Sequence, residues 1–470
     1  MFSNLLWGYV VRSLPTLSGV PGYSLATLAV LLVSGTVIGF ALLRLSVSRA
    51  VCVAVLVFVF TRPILFPQFT VNAGMLMVAA ILLLRVYARD RSVGLLGVAC
   101  MLAFTSYLIR SQEFLFVCAA GLPFLPVGQL LRDRRAQIGA GALACAVLAS
   151  GIVDYQAYKA PEWRDYNALN HVRGLITDFG AAEPIRAQPE VLAKHGFSLN
   201  DITLVEHWFF VDPKVANPAV LEAMVSESGG SPVQEHKFAN AVLGLKTLAH
   251  PALWLLALVA FAVSAASAKR STLAAWAIFL LGIAVVGYFG RPGILHVYIP
   301  VLALLALAPL AGIRWSLRST FALAAAIGLA AAVNMFNVVG ESKSFAKADA
   351  QTRERVSGVD GHPVVVWGAS FPFEAMYPVL GVSDQAMKYR LYGLGVSTLA
   401  PFAFARSESL AGRDMIERLR SAEGVPMFAN SILVKQLATY CTEHFNGLLE
   451  VLSAPAAGMI APSWYRCQRS

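Results

Sequence analysis

The feature that most constrains this chain is a series of unbroken apolar runs. Each is roughly 20 residues long, the length at which a helix crosses the hydrocarbon core of a bilayer. Of 470 residues, 57% are hydrophobic and only 14% are charged, against about 25% charged in an average soluble domain. We therefore predict a mainly α-helical, polytopic membrane protein with about ten transmembrane helices, at residues 24–43, 50–66, 70–88, 93–109, 113–131, 137–154, 250–268, 272–289, 294–312 and 320–338.

The basic residues between these runs predict the orientation of the chain. Short loops rich in Lys and Arg stay cytoplasmic. The alternate short loops carry only Arg62, Arg110 and Arg291. The other set carries twelve basic residues: Arg44, Arg49, Arg85, Arg89, Arg91, Arg132, Arg134, Arg135, Lys269, Arg270, Arg314 and Arg318. The formal charge of +10 thus reflects topology, and no nucleic-acid partner is predicted. The expected location is a bacterial inner membrane, with the N-terminus and both hydrophilic segments in the periplasm.

The chain divides into four predicted segments. Residues 1–154 hold an N-terminal interfacial segment and six helices, 155–249 form a large outer loop, 250–339 hold four helices, and 340–470 form an outer α/β domain. No cleavable signal peptide is predicted, because Pro15 and Pro21 interrupt the N-terminal apolar stretch. The loop is expected to contain helices at 162–179 and 217–226 and a partly buried segment at 201–211. The tail is expected to contain strands at 362–368 and 425–429, helices at 373–380 and 431–445, and further sheet pieces at 448–452 and 458–461.

The six cysteines fall into two sets. Four lie inside apolar runs, where a thiol acts as a small hydrophobe: Cys52, Cys100, Cys118 and Cys145. Cys441 and Cys467 lie in the hydrophilic tail, where an oxidising compartment would allow a disulfide. Their spacing does not decide whether they pair.

Three outer arginines are the strongest candidates for a binding site. Arg62, Arg110 and Arg291 each lie where a membrane helix reaches its outer end. A guanidinium stays charged and binds phosphate through two donors, so the three together would hold the pyrophosphate of a lipid-linked sugar. The alternative is that each reaches lipid head groups on its own, or pairs locally, as Arg110 would with Glu113.

A second candidate is the polar stretch from Glu162 to Asp178, which follows the sixth apolar run. At helical spacing, one face carries Tyr166, Asn170, Arg173 and Thr177. This face would suit a sugar acceptor, and the alternative is an ordinary solvated helix side. His207 is a candidate outer general base or an ordinary surface histidine.

The histidines show no metal-ligand spacing, and the chain lacks P-loop, GxSxG and CxxC motifs. No cofactor is predicted. The sequence does not decide whether the protein uses a divalent metal.

Several short motifs resemble bacterial multi-spanning proteins related to the GT-C class of membrane glycosyltransferases. They are Thr61-Arg62-Pro63 through Gln68-Phe69-Thr70, Ile109-Arg110 with Glu113, Trp163 to Asp178, and Arg291-Pro292. The resemblance implies a polyprenyl-phosphate sugar donor and transfer on the outer side. Such proteins usually carry a catalytic acid in an early outer loop, but residues 62–72 contain none. The nearest outer acids are Glu113, Asp154, Asp165 and Asp178.

Three functions remain open at this stage. The first is an inverting glycosyltransferase that uses a lipid-linked sugar donor and a glycan or lipid acceptor. Glu113 or Asp165 would then be the catalytic base, while Arg62, Arg110 and Arg291 would bind phosphate, with Asn170, Arg173 and His207 in substrate binding. The second is an O-antigen-type polymerase or ligase, in which His207 or His171 would matter more than an acid. The third is a transporter or a non-catalytic scaffold of a polysaccharide export complex.

Overall fold

The computed structural model describes residues 3–17, 20–230, 236–290, 292–313, 316–356, 363–379, 390–401, 412, 414–456 and 458–469. Internal contacts divide the chain into two compact units. The membrane unit comprises residues 1–157 and 238–345, and the polar unit comprises residues 158–237 and 346–470. The loop and the tail, which the sequence presents as separate segments, therefore belong to one unit.

The first part of the chain is helical almost throughout. Its α-helices are α1 Leu5–Ser13, α2 Gly22–Arg44, α3 Arg49–Leu65, α4 Phe69–Asp90, α5 Val93–Ile109, α6 Ser111–Gly121, α7 Val127–Leu130 and α8 Arg134–Tyr158. After the loop segment come α14 Lys237–Lys246, α15 Trp254–Ser267, α16 Arg270–Phe289, α17 Leu295–Leu307 and α18 Leu317–Arg355.

Six of the described helices are long and apolar enough to cross a membrane: α2, α4, α8, α16, α17 with its 3-10 extension to Gly312, and α18 from Arg318. A seventh span results if α14 and α15, which meet at a bend of 83°, are counted as one. The chain is a mainly helical membrane protein, but the predicted number of about ten spans is not confirmed.

Several predicted spans form helices that are shorter than expected, and the structure shows why. In the run 113–131 the long α-helix ends at Gly121, because Pro123 and Pro126 follow and proline cannot continue the hydrogen-bond ladder. Only the four residues of α7 form an α-helix after them in this run. The helix expected from residue 250 begins at Trp254, after Pro251. Helices α3 and α5 have 17 residues each, which gives a rise of about 25 Å.

Helix α4 is the centre of the membrane unit. It packs against α2, α5, α6 and α17, and 17 of its 22 residues are buried. Gly74 lies where α4 meets α17. A Cβ there would be 2.3 Å from Cβ of Pro300 and 3.1 Å from Oε1 of Glu113. The two backbones can approach this closely only because residue 74 has no side chain.

The polar unit combines small helices with a sheet. Its α-helices are α9 Arg164–Thr177, α10 Ala182–Arg186, α11 Pro189–Lys194, α12 Leu199–Glu206, α13 Pro218–Glu227, α19 Phe373–Met376, α20 Met415–Leu419 and α21 Ser431–Phe445. Its strands are β1 Pro363–Trp367, β2 Arg390–Leu394, β3 Val425–Phe428, β4 Gly447–Ser453 and β5 Ser463–Arg469.

The five strands form a mixed sheet in the order β2-β1-β3-β5-β4. Strand β1 is parallel to β2 and β3, with Val365 opposite Tyr392 and Met427. Strand β5 is antiparallel to β3 and β4. The predicted small C-terminal sheet is confirmed. Residues 458–461 were wrongly expected to be a strand, since Ile460 makes only an isolated bridge to Val356. Two other expected positions, His362 and Leu380, lie outside the described residues.

The loop and the tail share one hydrophobic core. Leu169, Phe209 and Leu221 of the loop pack with Trp367 and Tyr440 of the tail. Specific hydrogen bonds join the same two segments. The indole of Trp367 donates to the carbonyl of His207 at 2.7 Å, and the Tyr440 hydroxyl donates to Asp212 at 2.6 Å.

Cys441 of α21 and Cys467 of β5 form a disulfide, with their Cα atoms 5.5 Å apart. The two cysteines are 26 positions apart in the sequence, so the disulfide closes a loop of that length.

The first prediction concerns Gly74. We expect Gly74→Ala to destabilise the membrane unit by about 1–3 kcal/mol, because the added methyl group overlaps Pro300. The measurement is the thermal unfolding midpoint of the purified chain in detergent. Gly97→Ala in α5 is the matched control, since a Cβ there meets nothing within 4 Å. Equal midpoints for the two variants would contradict the tight α4–α17 contact.

The second prediction concerns the disulfide. Cys441→Ala combined with Cys467→Ala should destabilise the polar unit by about 3 kcal/mol, the entropic effect expected for a closed loop of this length. Pulse proteolysis in a urea series, with fragments of residues 346–470 identified by mass spectrometry, measures this. Cys145→Ala, in the exposed part of α8, should leave the transition unchanged.

Candidate functional site

A cavity of about 370 Å³ opens in the membrane unit where α3, α15 and α18 come together. One side is apolar, with Phe58, Leu255, Leu256, Ile299 and Val338. The other side is polar, with Arg62, His250, Asn334, Asn337 and Glu341. A concave site with a few convergent polar groups on an apolar background is the usual form of a small-molecule site.

Arg62 and Glu341 form the charged centre of this cavity. The two guanidinium Nη atoms of Arg62 lie 3.0 and 3.4 Å from the two carboxylate oxygens of Glu341, a two-point pair. The guanidinium also lies 5.2 Å from the ring centroid of Phe66. Both side chains stay partly exposed, Arg62 at 26% and Glu341 at 40%, so a ligand in the cavity can reach them.

Helix α18 supplies the polar wall because its polar residues recur at helical spacing. Asn334, Asn337 and Glu341 are three and four positions apart, which places them on one face. The Asn334 amide donates to the carbonyl of Phe58 at 3.2 Å and so ties α18 to α3. His250 accepts a hydrogen bond at Nδ1 from the backbone N–H of Ala252, 3.1 Å away. Its other ring nitrogen, Nε2, is left to carry the proton.

This arrangement can bind an anion and move a proton. A phosphate that displaced Glu341 would meet a guanidinium with two parallel donors. The released carboxylate would then lie next to the bound phosphate, where it could accept a proton. Glu341 was missed by the sequence analysis, because 279 residues separate it from Arg62. The spacing of Asn334, Asn337 and Glu341 inside an apolar helix was the available signal.

The predicted residues Arg110 and Glu113 lie elsewhere in the membrane unit. Arg110 precedes the first turn of α6, with its guanidinium 5.6 Å from the Phe69 ring. It is not among the described residues that line the Arg62 cavity. Glu113 is 2% exposed and packs near Gly74 and Pro300, and its Oε1 has no hydrogen-bond partner among the described residues. A carboxylate buried this deeply is poorly placed to receive a substrate proton.

The remaining predicted outer acids lie in other environments. Asp165 is exposed on α9, and its carboxylate lies 3.6 Å from the guanidinium of Arg164. Asp154 lies at the end of α8 and accepts a hydrogen bond from the backbone N–H of Leu5 at 2.7 Å, which ties α1 to α8.

The predicted acceptor face of α9 is buried inside the polar unit. Arg173 is 9% exposed and donates to Asn170 at 2.8 Å, and its guanidinium lies 4.8 Å from the Trp208 ring. Burial lowers the pKa of Arg173 from its ordinary value, while the nearby Asp178 acts in the opposite direction. Tyr166 is also buried, at 9%. Only a void of about 10 Å³ remains beside these residues, too small for a sugar.

The histidines and Arg291 complete the predicted set. His207 ends α12 and bonds through Nδ1 to the carbonyl of Thr203 at 2.8 Å. His171 is exposed on α9. Arg291 lies outside the described residues. Whether the three outer arginines share one site therefore stays a prediction.

One cluster in the polar unit has the side chains of a metal site. Ligand atoms of Asp201, Glu443 and His444 lie within 4.8 Å of one another. Local hydrogen bonds explain this arrangement. Asp201 accepts from His444 Nε2 at 2.8 Å and from the backbone N–H of Ser198 at 2.9 Å, and the Ser198 hydroxyl donates to Glu443 at 2.8 Å. Ser198 and Asp201 form a capping box for α12.

Comparison with known proteins finds no family model that matches the chain, no similar curated protein and no solved structure with a matching fold. The resemblance to the GT-C class therefore stays a prediction.

The third prediction concerns pH. The hydrogen bond that His444 donates to Asp201 raises the pKa of His444 above its ordinary value, although partial burial acts in the opposite direction. The protonated ring also lies near Asp212 and Glu443. The folded state therefore holds the proton of His444 more tightly than the unfolded chain does, and this proton stabilises the fold. The stabilisation is complete below the unfolded pKa of about 6.5. It is lost as the pH rises through the raised pKa of the folded state.

We therefore expect the polar unit to become less stable as the pH rises above about 6.5, and His444→Gln to reduce that dependence. Hydrogen exchange of α21 amides, corrected for intrinsic exchange rates, measures it. His171→Gln on the exposed side of α9 is the control. A pH dependence equal in all three proteins would contradict the assignment to His444.

Proposed function

We propose that this membrane protein transfers a sugar from a polyprenyl-phosphate carrier to a glycan or lipid acceptor, with the cavity around Arg62 as its active site. In this proposal the cavity opens to the outer side of a bacterial inner membrane, as the distribution of basic residues predicts. The observation that carries the proposal is the pairing of one guanidinium with one carboxylate in a cavity that is apolar on its other side.

Each part of such a donor has a counterpart in the cavity. The phosphate would bind Arg62 through two hydrogen bonds. The sugar hydroxyls would meet Asn334 and Asn337, and the exposed Trp254 offers an aromatic face. The first units of the polyprenyl chain would lie along Leu255 and Leu256.

The proposed reaction is a one-step displacement with inversion. Glu341 takes the proton of the acceptor hydroxyl while the acceptor oxygen bonds to the anomeric carbon. The bond between that carbon and the phosphate oxygen breaks, and its electron pair leaves with the polyprenyl phosphate. Arg62 stabilises the charge that develops on this leaving group. The Arg62–Glu341 pair of the empty site would open when the phosphate takes the place of the carboxylate.

Glu341 is a better candidate for the base than the two acids named from the sequence. It lies in the same cavity as the phosphate-binding arginine, 3.0 Å from it. Glu113 is buried against Pro300 and Gly74, while Asp165 is exposed on a helix of the polar unit. A base must come within hydrogen-bond distance of the proton that it removes.

Glu113 favours a second candidate function, transport. A carboxylate buried among membrane helices is costly and commonly marks an ion or proton pathway. Its Oε1, which has no hydrogen-bond partner among the described residues, would then accept a proton or coordinate a cation during transport. The experiment below separates the two functions.

The fourth prediction tests the glycan function in a deletion strain, by mass spectrometry of its lipid-linked glycans. Loss of the protein should leave a glycan lacking one sugar or an accumulated carrier-linked intermediate. Glu341→Gln should reproduce this defect, since removing a general base commonly costs about 10²–10⁴-fold in rate. Arg62→Gln should weaken binding of polyprenyl phosphate to the purified chain by roughly 10- to 100-fold.

Lys343→Gln is the matched control, because Lys343 is exposed on the same helix and does not line the cavity. It should support a normal glycan profile. An unchanged profile in the deletion strain would contradict the glycan function and leave transport as the better account. A normal profile with Glu341→Gln would remove Glu341 as the base.

A further inference from the structure

A second cleft of the membrane unit is strongly basic. It has a volume of about 770 Å³ and lies between the end of α4, the short helix α7 and the start of α8. Arg91, Arg132 and Arg135 line it together with Gln129. The cleft is independent of the Arg62 cavity, and no residue lines both.

The wall of this cleft is held in place by Asp133. Its carboxylate accepts from the Tyr87 hydroxyl at 2.5 Å and from Arg91 at 2.6 Å. It also accepts from the backbone N–H of Arg135 at 3.0 Å, at the start of α8. Asp133, the acid that lines the cleft, therefore pairs with Arg91 and leaves Arg132 and Arg135 to a ligand.

The surrounding positive charge is largely uncompensated. A neighbouring cleft of about 540 Å³, which shares Pro126 and Gln129 with the first, is lined by Arg85 and Arg89. These two arginines bond to the carbonyls of Ala308 and Arg44, not to carboxylates. In the described part of the chain, five arginines of this region have no carboxylate partner: Arg85, Arg89, Arg132, Arg134 and Arg135.

Apolar side chains are exposed in and next to the cleft. Val127 lines it and is 41% exposed, and Leu131, which precedes Arg132 in the chain, is 66% exposed. A ligand that fits both features carries a phosphate for the arginines and a hydrocarbon chain for the apolar residues. A soluble phosphate would use only the first.

We propose that this cleft binds the phosphate of an anionic phospholipid, with Arg132 and Arg135 as its principal ligands. Basic pockets between membrane helices bind such head groups on the cytoplasmic side, which is the side predicted for this end of α4. Arg132 and Arg135 have no side-chain hydrogen bond or ion pair among the described residues, so both are available to the lipid.

The fifth prediction is tested by native mass spectrometry of the full chain in detergent, titrated with phosphatidylglycerol or with phosphatidylcholine of the same acyl chains. We expect the wild-type chain to prefer phosphatidylglycerol. Arg132→Gln with Arg135→Gln should weaken its binding by roughly tenfold for each guanidinium lost. Phosphatidylcholine binding should not change. Both side chains are exposed, so the fold should tolerate the substitutions.

The matched control is Arg49→Gln with Arg318→Gln, which removes the same charge from two exposed arginines outside the cleft. This control should bind phosphatidylglycerol as the wild type does. An equal loss in both double variants would show a diffuse attraction and overturn the site. Inorganic pyrophosphate is the soluble competitor. If it binds the wild-type chain as tightly as phosphatidylglycerol does, the lipid assignment is wrong.

Discussion

The contact between α4 and α17 at Gly74 and Pro300 is the interaction on which the membrane unit depends. Within a bilayer, helices gain little from leaving lipid, so they associate through close packing and small residues allow it. Gly74 removes the side chain that would collide with Pro300. Helix α17 is thereby held against α4, and it contributes Ile299 to the cavity around Arg62. The geometry of the candidate active site is thus connected to a contact made by two apolar helices.

Local patterns along the chain predicted much of the fold. Apolar length identified the six long helices, and the helix at Ser431–Phe445 was placed correctly because Asn430 caps it and its apolar residues recur with helical period. Proline explains part of what failed, since the run 113–131 is long enough to span but Pro123 and Pro126 stop the helix. Strand β5 was missed although its buried residues, Tyr465 and Cys467, alternate with polar ones, which is the pattern of a strand with one buried face.

The candidate site could be predicted only in part, because its two charged residues come from distant parts of the chain. Arg62 was recognisable as a lone positive charge at the outer end of an apolar helix. Glu341 looked like the start of the hydrophilic tail, and only the fold brings it to Arg62. Burial also affects the helix face that was expected to meet a sugar acceptor. A pattern in the sequence does not show whether such a face is exposed or buried. Arg173 and Asn170 share a helix face as predicted, but that face packs against Trp208 inside the polar unit.

The Arg62 cavity and the basic cleft lie at opposite ends of one helix. Only Phe66, Pro67 and Gln68 separate α3 from α4, so Arg62 lies near the start of α4, while Tyr87 and Arg91 lie at its other end. The 22 residues of α4 rise about 33 Å, close to the thickness of a hydrocarbon core of about 30 Å. If the arginine-rich end faces the cytoplasm, the cavity faces outward.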